Sequence, residues 1–337
     1  MKMEAKGLFN VARKEFIDHL TSRRFIIILA LFLIISASGM HEGINFYNQQ
    51  LESYKEQISQ ITEGPEGPVR GMPERPSIML VFMFMSSHIM MLGAILAIAM
   101  GFDLVSKEKE TRSLKLLLSC PVFRDEIING KALGGTLALV FAMGTALLIS
   151  LAMLLIFSIV PSMNELTAIL VFGIASIVFL LAYFAIALMM STVSGKSGSA
   201  LIYTLVIFFI LGSLLPIVGG TVAHMVSGDP SKSPFDIRDV TNVTEEEIQQ
   251  YEEEWMAWSE KRKPITEAFT IISPNMNYQK ISHRIASPSS VTTPYGDEAP
   301  GLQEVLGRVW KNILALISFS VVFFAIAYIK FMRMDIR

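Results

Sequence analysis

The chain has 337 residues, of which 52% are hydrophobic and only 17% are charged, and its formal net charge is −2. Soluble domains usually carry about 25% charged residues, so this composition argues against a soluble protein and indicates a membrane protein. The single cysteine, Cys120, excludes an internal disulfide framework and a cysteine-cluster metal site.

The first element in the chain is a predicted amphipathic helix over residues 1–23. Phe9, Ala12, Phe16 and Leu20 recur at helical spacing, with basic residues around them. A basic amphipathic helix beside a membrane span usually lies in the membrane interface. We therefore expect a cytoplasmic elbow helix along the membrane surface.

Six apolar segments follow, and roughly 20 residues are enough to cross the hydrocarbon core. We place the spans near residues 24–40, 77–102, 132–160, 165–193, 199–226 and 311–332. Residues 24–226 thus contain spans 1 to 5 and an outer loop at 41–76. A large loop at 227–310 precedes the last span and tail, which occupy 311–337.

Lysine and arginine set the expected orientation. With the N-terminus inside, the cytoplasmic segments hold 16 basic residues in 66 positions, whereas the outer segments hold 11 in 124. The denser side is predicted to be cytoplasmic. Both termini and the loop 103–131 are therefore expected inside the cell, and the loops 41–76 and 227–310 outside.

A polar trio, Ser86, Ser87 and His88, interrupts the second span. Small hydroxyl residues at membrane depth usually hydrogen-bond neighbouring helices, so helix packing is the favoured interpretation. Ser87 and His88 are also candidates for lining a substrate pathway. Methionines crowd the same span and would suit Cu(I), but methionine is equally a common gap-filler in apolar packing.

The segment 101–131 carries six basic and five acidic residues around an apolar centre. We predict one helix over 105–119, ended by Pro121, and a second helix that begins at Arg124 and leads into the third span. The segment could lie on lipid headgroups or dock a cytoplasmic subunit. The mixed charges favour docking, because a lipid-bound segment is typically dominated by Lys and Arg.

The large loop 227–310 is predicted to begin with a helix, for which Thr244 is the candidate N-cap and Glu247 completes a capping box. The residues that share one apolar face of this helix are Ile248, Tyr251, Trp255 and Trp258. Packing within the loop is the favoured interpretation of that face, and contact with a partner or with the membrane interface is the alternative.

The segment 101–131 closely resembles the loop between spans two and three of the type-2 ABC exporter permeases. The matching positions are Glu108, Glu110, Leu114, Leu117, Leu118, Pro121, Arg124, Ile127, Ile128, Gly130 and Lys131. Two positions depart from that pattern, because Arg112 stands where glycine is common and Ser113 where threonine is common. The N-terminal helix and the six spans are also similar to this family, whereas the loop 227–310 is less typical.

The resemblance implies an all-α polytopic membrane protein with six transmembrane helices. Its other parts would be the elbow helix, a cytoplasmic coupling helix between spans two and three, and a large extracytoplasmic loop between spans five and six. It also implies the permease subunit of an ATP-driven exporter in the cell membrane. The residues expected to couple to the ATPase are Asp103, Glu108, Glu110, Arg112, Leu114, Leu117, Leu118, Pro121, Arg124 and Lys131.

The implied partners are separate cytoplasmic ATP-binding subunits, a second permease copy or a paralogue, and membrane lipid. The sequence Gly195-Lys-Ser resembles the end of a phosphate-binding loop, but that loop needs a glycine where Met190 stands. We predict no catalytic, cofactor-binding or metal-binding residues and no nucleic-acid partner. The protein would be a transport subunit rather than an enzyme.

Two other functions stay open at this point. A non-transporting membrane anchor or sensor would bind a partner through 227–310, and charge changes at 107–112 would then be harmless. An intramembrane hydrolase would depend on His88, although adjacent serine and histidine residues on one helix do not supply the geometry between nucleophile and base.

Overall fold

The computed structural model describes residues 4–63, 75–113, 123–229, 245–286 and 301–334, and every regular element in these ranges is a helix. The helices are α1 Glu4–Thr21, α2 Arg23–Glu63, α3 Met79–His88, α4 Ala94–Gly101, α5 Ser106–Glu110, α6 Arg124–Ile156, α7 Met163–Val193, α8 Ser197–Phe209, α9 Leu215–Ser227, α10 Glu245–Ile272, α11 Pro274–Ala286 and α12 Leu302–Met332. Two π-helical turns, Ile89–Gly93 and Ile210–Leu214, join α3 to α4 and α8 to α9.

The described residues contain six stretches that are long and apolar enough to cross a membrane, which confirms the all-α, six-span prediction. Span 1 lies in α2, span 2 comprises α3 to α5, span 3 is α6, span 4 is α7, span 5 comprises α8 and α9, and span 6 is α12. The chain divides into two compact units, one of Met1–Val206 with Tyr278–Arg337 and one of Ile207–Asn277.

In the first unit, α1 packs along α6, α2 along α3, and α7 along both α4 and α12. Five buried aromatic rings run through this unit in contact with one another: Phe82, Phe172, Tyr278, Phe179 and Tyr183. The Tyr278 hydroxyl also shares a 2.8 Å hydrogen bond with Ser176. These contacts attach α11 to spans 2 and 4.

Glycine allows α1 to lie directly against span 3. A Cβ atom on Gly134 would lie 2.7 Å from the carbonyl oxygen of Ala12, and one on Gly130 would lie 2.7 Å from the Val11 Cβ. The two glycines are four residues apart and therefore share one face of the helix, the spacing that brings helix backbones close together within membranes. The predicted N-terminal helix is thus packed on span 3 along that face.

Span 1 is longer than the sequence predicts. An outer loop was expected from residue 41, but α2 continues without a break to Glu63 and has 41 residues. At 1.5 Å per residue it is about 60 Å long, twice the hydrocarbon thickness. An apolar stripe holds the first part of this extension, since Met40, Ile44 and Tyr47 follow one another at helical spacing and are all buried.

The second unit is an antiparallel pairing of α10 with the C-terminal half of span 5. Trp258 donates from Nε1 to the carbonyl oxygen of Gly228 over 3.2 Å. Further along α10, Phe269 packs on Gly219, and Ser273 Oγ donates to the carbonyl oxygen of Leu211 over 2.6 Å. The end of α10 therefore lies level with the π-helical turn in the middle of span 5. The end of α10 thus lies beside the middle of a candidate span, and the placement of residues 227–310 outside the membrane stays a prediction.

The packing of α1 on span 3 can be tested with a matched pair of glycine substitutions. We expect Gly134→Ala to lower protein stability by about 1–3 kcal/mol, because the new methyl group overlaps a backbone atom of α1. Gly144→Ala on the same span meets no atom within 4 Å and should be neutral or stabilising, because alanine favours a helix. Thermal unfolding in detergent measures both. Equal unfolding temperatures for the two variants would contradict the packing.

Candidate functional site

The segment 101–131 is attached to span 4 at its first helix. The backbone N–H groups of Val105 and Ser106 both donate to Ser191 Oγ of span 4, over 2.9 and 3.0 Å. The first N–H groups of a helix have no partner within that helix. Ser191 therefore satisfies the start of α5 from another span, and Ser106 Oγ adds a 2.9 Å hydrogen bond back to the Phe102 carbonyl oxygen.

A buried ion cluster of Glu15, Glu108 and Lys131 lies beside α5. The Lys131 side chain is 2% exposed, and its Nζ donates to Glu15 Oε1 and to Glu108 Oε1, each over 2.7 Å. The three residues come from α1, α5 and span 3. A buried ammonium group without a partner costs several kcal/mol, so this arrangement requires all three elements to be in place together.

The ion cluster carries more negative than positive charge. Glu108 Oε2 and the neighbouring His19 Nε2 are buried, and neither has a hydrogen-bond partner among the described residues. Burial lowers the pKa of the His19 imidazole, although Glu15 and Asp103 act in the opposite direction. With His19 neutral, two carboxylates face one ammonium group. A charge that approaches such a site interacts with it strongly, because low local polarity strengthens charge–charge interaction.

The next two charged residues of the segment contact the ends of spans 4 and 5. Lys109 Nζ donates to the carbonyl oxygens of Thr192 and Ser194 at the C-terminal end of span 4. Glu110 Oε2 accepts a 3.1 Å hydrogen bond from the backbone N–H of Ser197, where span 5 begins. Each charge is opposite in sign to the helix end that it meets, so the helix dipoles favour both contacts.

The two ends of the segment contact spans 1 and 6. Arg24 Nη1 at the start of span 1 donates to Asp103 Oδ2 over 3.2 Å. Arg124 Nη1 donates to the carbonyl oxygens of Met332 and Met334 at the end of span 6, over 3.2 and 3.0 Å. The segment continues span 2 and includes the start of span 3, and it contacts the same-side ends of spans 1, 4, 5 and 6. We call this set of contacts the junction.

A model of the ABC-2 family transporter proteins matches residues 9–336, nearly the whole chain. The chain belongs to the ABC-2 transporter family. A comparison with curated proteins gave no match. Proteins of this family are membrane components of transporters and are generally not catalytic themselves, so the chain is a membrane permease.

The residues expected to couple the permease to an ATPase fall into three groups. Leu114, Leu117, Leu118 and Pro121 lie outside the described residues. Asp103, Glu108, Glu110, Arg124 and Lys131 all contact other parts of the permease at the junction. Arg112 is exposed. Five of the predicted charges thus connect the segment to the spans.

The polar trio of span 2 is placed by helix contacts. Ser86 Oγ donates to the Met83 carbonyl oxygen over 2.7 Å, and His88 Nδ1 lies 2.9 Å from the Phe84 carbonyl oxygen. The His88 ring also packs on Gly39 of span 1. Ser87 is exposed on the outside of the first unit. These contacts agree with helix packing, and the assignment of Ser87 and His88 to a substrate pathway stays a prediction.

Sequence reasoning missed four partners of the predicted residues: Glu15, Arg24, Lys109 and Ser191. Glu15 is 116 residues from Lys131 along the chain. The one available signal was Lys131 itself, since a lysine near the start of an apolar span needs a buried counter-ion. The sequence does not reveal which acidic residue supplies it.

The backbone conformation of Arg112 is one that glycine adopts easily, and glycine is common at this position in the family that the segment resembles. Its φ angle is +58°, in the left-handed region that glycine adopts without steric cost. The turn at this residue ends α5 at Glu110, so the helix expected over 105–119 does not run through it.

The backbone at Arg112 can be tested with two substitutions. We expect Arg112→Gly to keep or raise stability, by up to about 1 kcal/mol, because glycine removes the Cβ clash. Arg112→Val should lower stability by about 1–2 kcal/mol, since a β-branched residue fits this region poorly. Thermal unfolding of both variants measures the difference. Identical behaviour of the glycine and valine variants would contradict the left-handed conformation.

Removal of the Lys131 ammonium group tests the ion cluster. Lys131→Met leaves two buried carboxylates without their cation, and we expect a loss of about 3–5 kcal/mol in stability. Combining it with Glu15→Gln and Glu108→Gln should recover most of that loss, because the buried charges are then gone. Lys107→Met, at an exposed lysine of α5, is the control. Unfolding temperatures measure the stability of each variant. A triple variant as unstable as Lys131→Met alone would contradict the argument that buried charges cause the loss.

Proposed function

We propose that the chain is the permease subunit of an ATP-driven exporter in the cell membrane, coupled to separate ATP-binding subunits through the segment 101–131. A second copy of the chain or a paralogue would complete the substrate pathway, and the junction would face the cytoplasm with both termini. The observation that carries the proposal is the junction, in which one short segment contacts the ends of spans 1, 4, 5 and 6.

The junction supports a mechanical role for the segment. Nucleotide-driven movement of a docked ATPase would displace the segment, and its ionic and hydrogen-bonding contacts would pass that displacement to every span together. A conformational equilibrium shifts only when contacts differ between its states. Contacts at helix ends can differ between two states, because a shift of one helix end breaks or forms them. Such a shift can leave the rest of the interface between the helices unchanged.

The charges divide by position into two sets with different expected roles. Lys107 and Arg112 are exposed on the segment and are available to an external subunit. Lys109 and Glu110 contact the ends of spans 4 and 5. We assign docking to the first pair and transmission to the second. A membrane anchor would need neither, so variants of the two pairs distinguish the proposal from that alternative.

The test is co-purification from detergent-solubilised membranes of the native cells, followed by an assay of ATP hydrolysis. Lys107→Glu combined with Arg112→Glu should lose the ATP-binding subunit, because reversing charges at a docking surface weakens association. Lys109→Met combined with Glu110→Gln should retain that subunit but reduce the permease-dependent stimulation of hydrolysis at least about fivefold, the lower limit of usual coupling energies. Arg13→Glu, at an exposed arginine of α1, is the control.

Two results would contradict the proposal. If the wild-type permease brings down no ATP-hydrolysing subunit, the coupled exporter is wrong. If both double variants retain the subunit and full stimulation, the segment does not couple, and the anchor function is favoured instead.

A further inference from the structure

A cleft of about 370 Å³ opens on the first unit between spans 3, 4 and 6. Residues that line it include Asn129, Leu133, Thr136, Phe184, Ser320 and Phe324. Its walls are mostly apolar, and Leu133 and Val321 at its edges are exposed. In a membrane, an apolar cleft on this surface is in contact with hydrocarbon chains.

The cleft lies in the half of the membrane next to the junction. Asn129 is five residues from the start of α6 at Arg124, and Phe324 is eight residues from the end of α12 at Met332. At 1.5 Å per residue, the cleft begins about 8–12 Å from these helix ends. Half of the hydrocarbon core is about 15 Å thick, so the leaflet on the junction side reaches the cleft.

Basic residues lie at the end of the cleft that faces the junction. The Arg124 side chain crosses from span 3 to the end of span 6 through its bonds to Met332 and Met334. Lys330 and Arg333 are exposed at that same end of span 6. The acidic residues in the first turn of α6 are Asp125 and Glu126. Glu126 is buried and accepts a hydrogen bond from the backbone N–H of Phe123. Among the described residues at this end, the accessible basic side chains therefore outnumber the one accessible acidic side chain, Asp125.

We propose that this cleft binds one acyl chain of an anionic phospholipid from the leaflet on the junction side. The lipid phosphate would lie at Arg124, Lys330 and Arg333, and its ester carbonyl near the Asn129 amide, about one to two helical turns deeper. The positive charge selects an anionic headgroup, because basic clusters immediately beside a membrane span attract such lipids. The apolar cleft then fixes the chain beside spans 3, 4 and 6.

The test uses the full chain in nanodiscs and two photoactivatable lipids, a phosphatidylglycerol and a phosphatidylcholine, each with a diazirine in one acyl chain. Mass spectrometry of the peptides locates the cross-links. We expect phosphatidylglycerol to label residues of the cleft. Ala132→Trp, which places a large ring in the cleft, should abolish that labelling, and Ser320→Phe fills it independently from span 6. Leu148→Trp, at a 67% exposed leucine of span 3, is the control and should label as the wild type does.

The headgroup is tested separately. Lys330→Gln combined with Arg333→Gln should reduce the preference for phosphatidylglycerol over phosphatidylcholine about thirtyfold, because each basic residue near the surface contributes about 1 kcal/mol. Unfolding temperatures check that each variant is folded.

Two outcomes would overturn the inference. Equal labelling of the cleft by both lipids in the wild type means that the cleft takes any lipid chain and selects no headgroup. Unchanged labelling in both filled variants means that the chain lies elsewhere. The experiment needs neither ATP-binding subunits nor transport, so its result is independent of the proposed function.

Discussion

The Lys131 ammonium group lies between two carboxylates that come from different helices, and the arrangement at this end of the bundle depends on it. Lysine can be buried here because Glu15 and Glu108 each accept a hydrogen bond over 2.7 Å. Losing either partner would leave a charge in a place where water cannot compensate it. One requirement for charge balance therefore holds three elements together: the N-terminal helix, the short helix of the segment 101–131 and span 3.

The close packing of α1 on span 3 makes this balance possible. Gly130 and Gly134 flank Lys131 on the same helix, and they bring the backbone of α1 near enough for Glu15 to reach the ammonium group. The remaining charges of the segment then act on helix ends, where unpaired backbone groups are available. Lys109 meets carbonyl groups and Glu110 meets an N–H group, so the signs of the charges and the directions of the helices agree.

Local patterns in the sequence were sufficient for the six spans, because hydropathy and helical spacing are local properties. They did not predict the end of the first helix in the segment 101–131, which stops at Glu110 and does not run to residue 119. The contacts of that segment could not be predicted in the same way. Lys131 finds its counter-ion 116 residues away, and nothing in the sequence distinguishes Glu15 from other acidic residues. The pairing of α10 with span 5 was missed because it rests on contacts between residues far apart in the sequence, such as Ser273 with Leu211. The continuation of α2 past residue 40 could have been predicted from the spacing of Met40, Ile44 and Tyr47.

The length of α2 has a consequence for how movement crosses the membrane. The helix is about 60 Å long, and its first residues lie beside Asp103 through Arg24. A rod of this length is a lever: a tilt of roughly 5° about the end at Arg24 displaces the opposite end by about 5 Å. A small change at the junction would therefore be magnified on the far side of the membrane. Conversely, an antibody or peptide that held residues 50–59 in one position would restrain the junction at the opposite end of the helix.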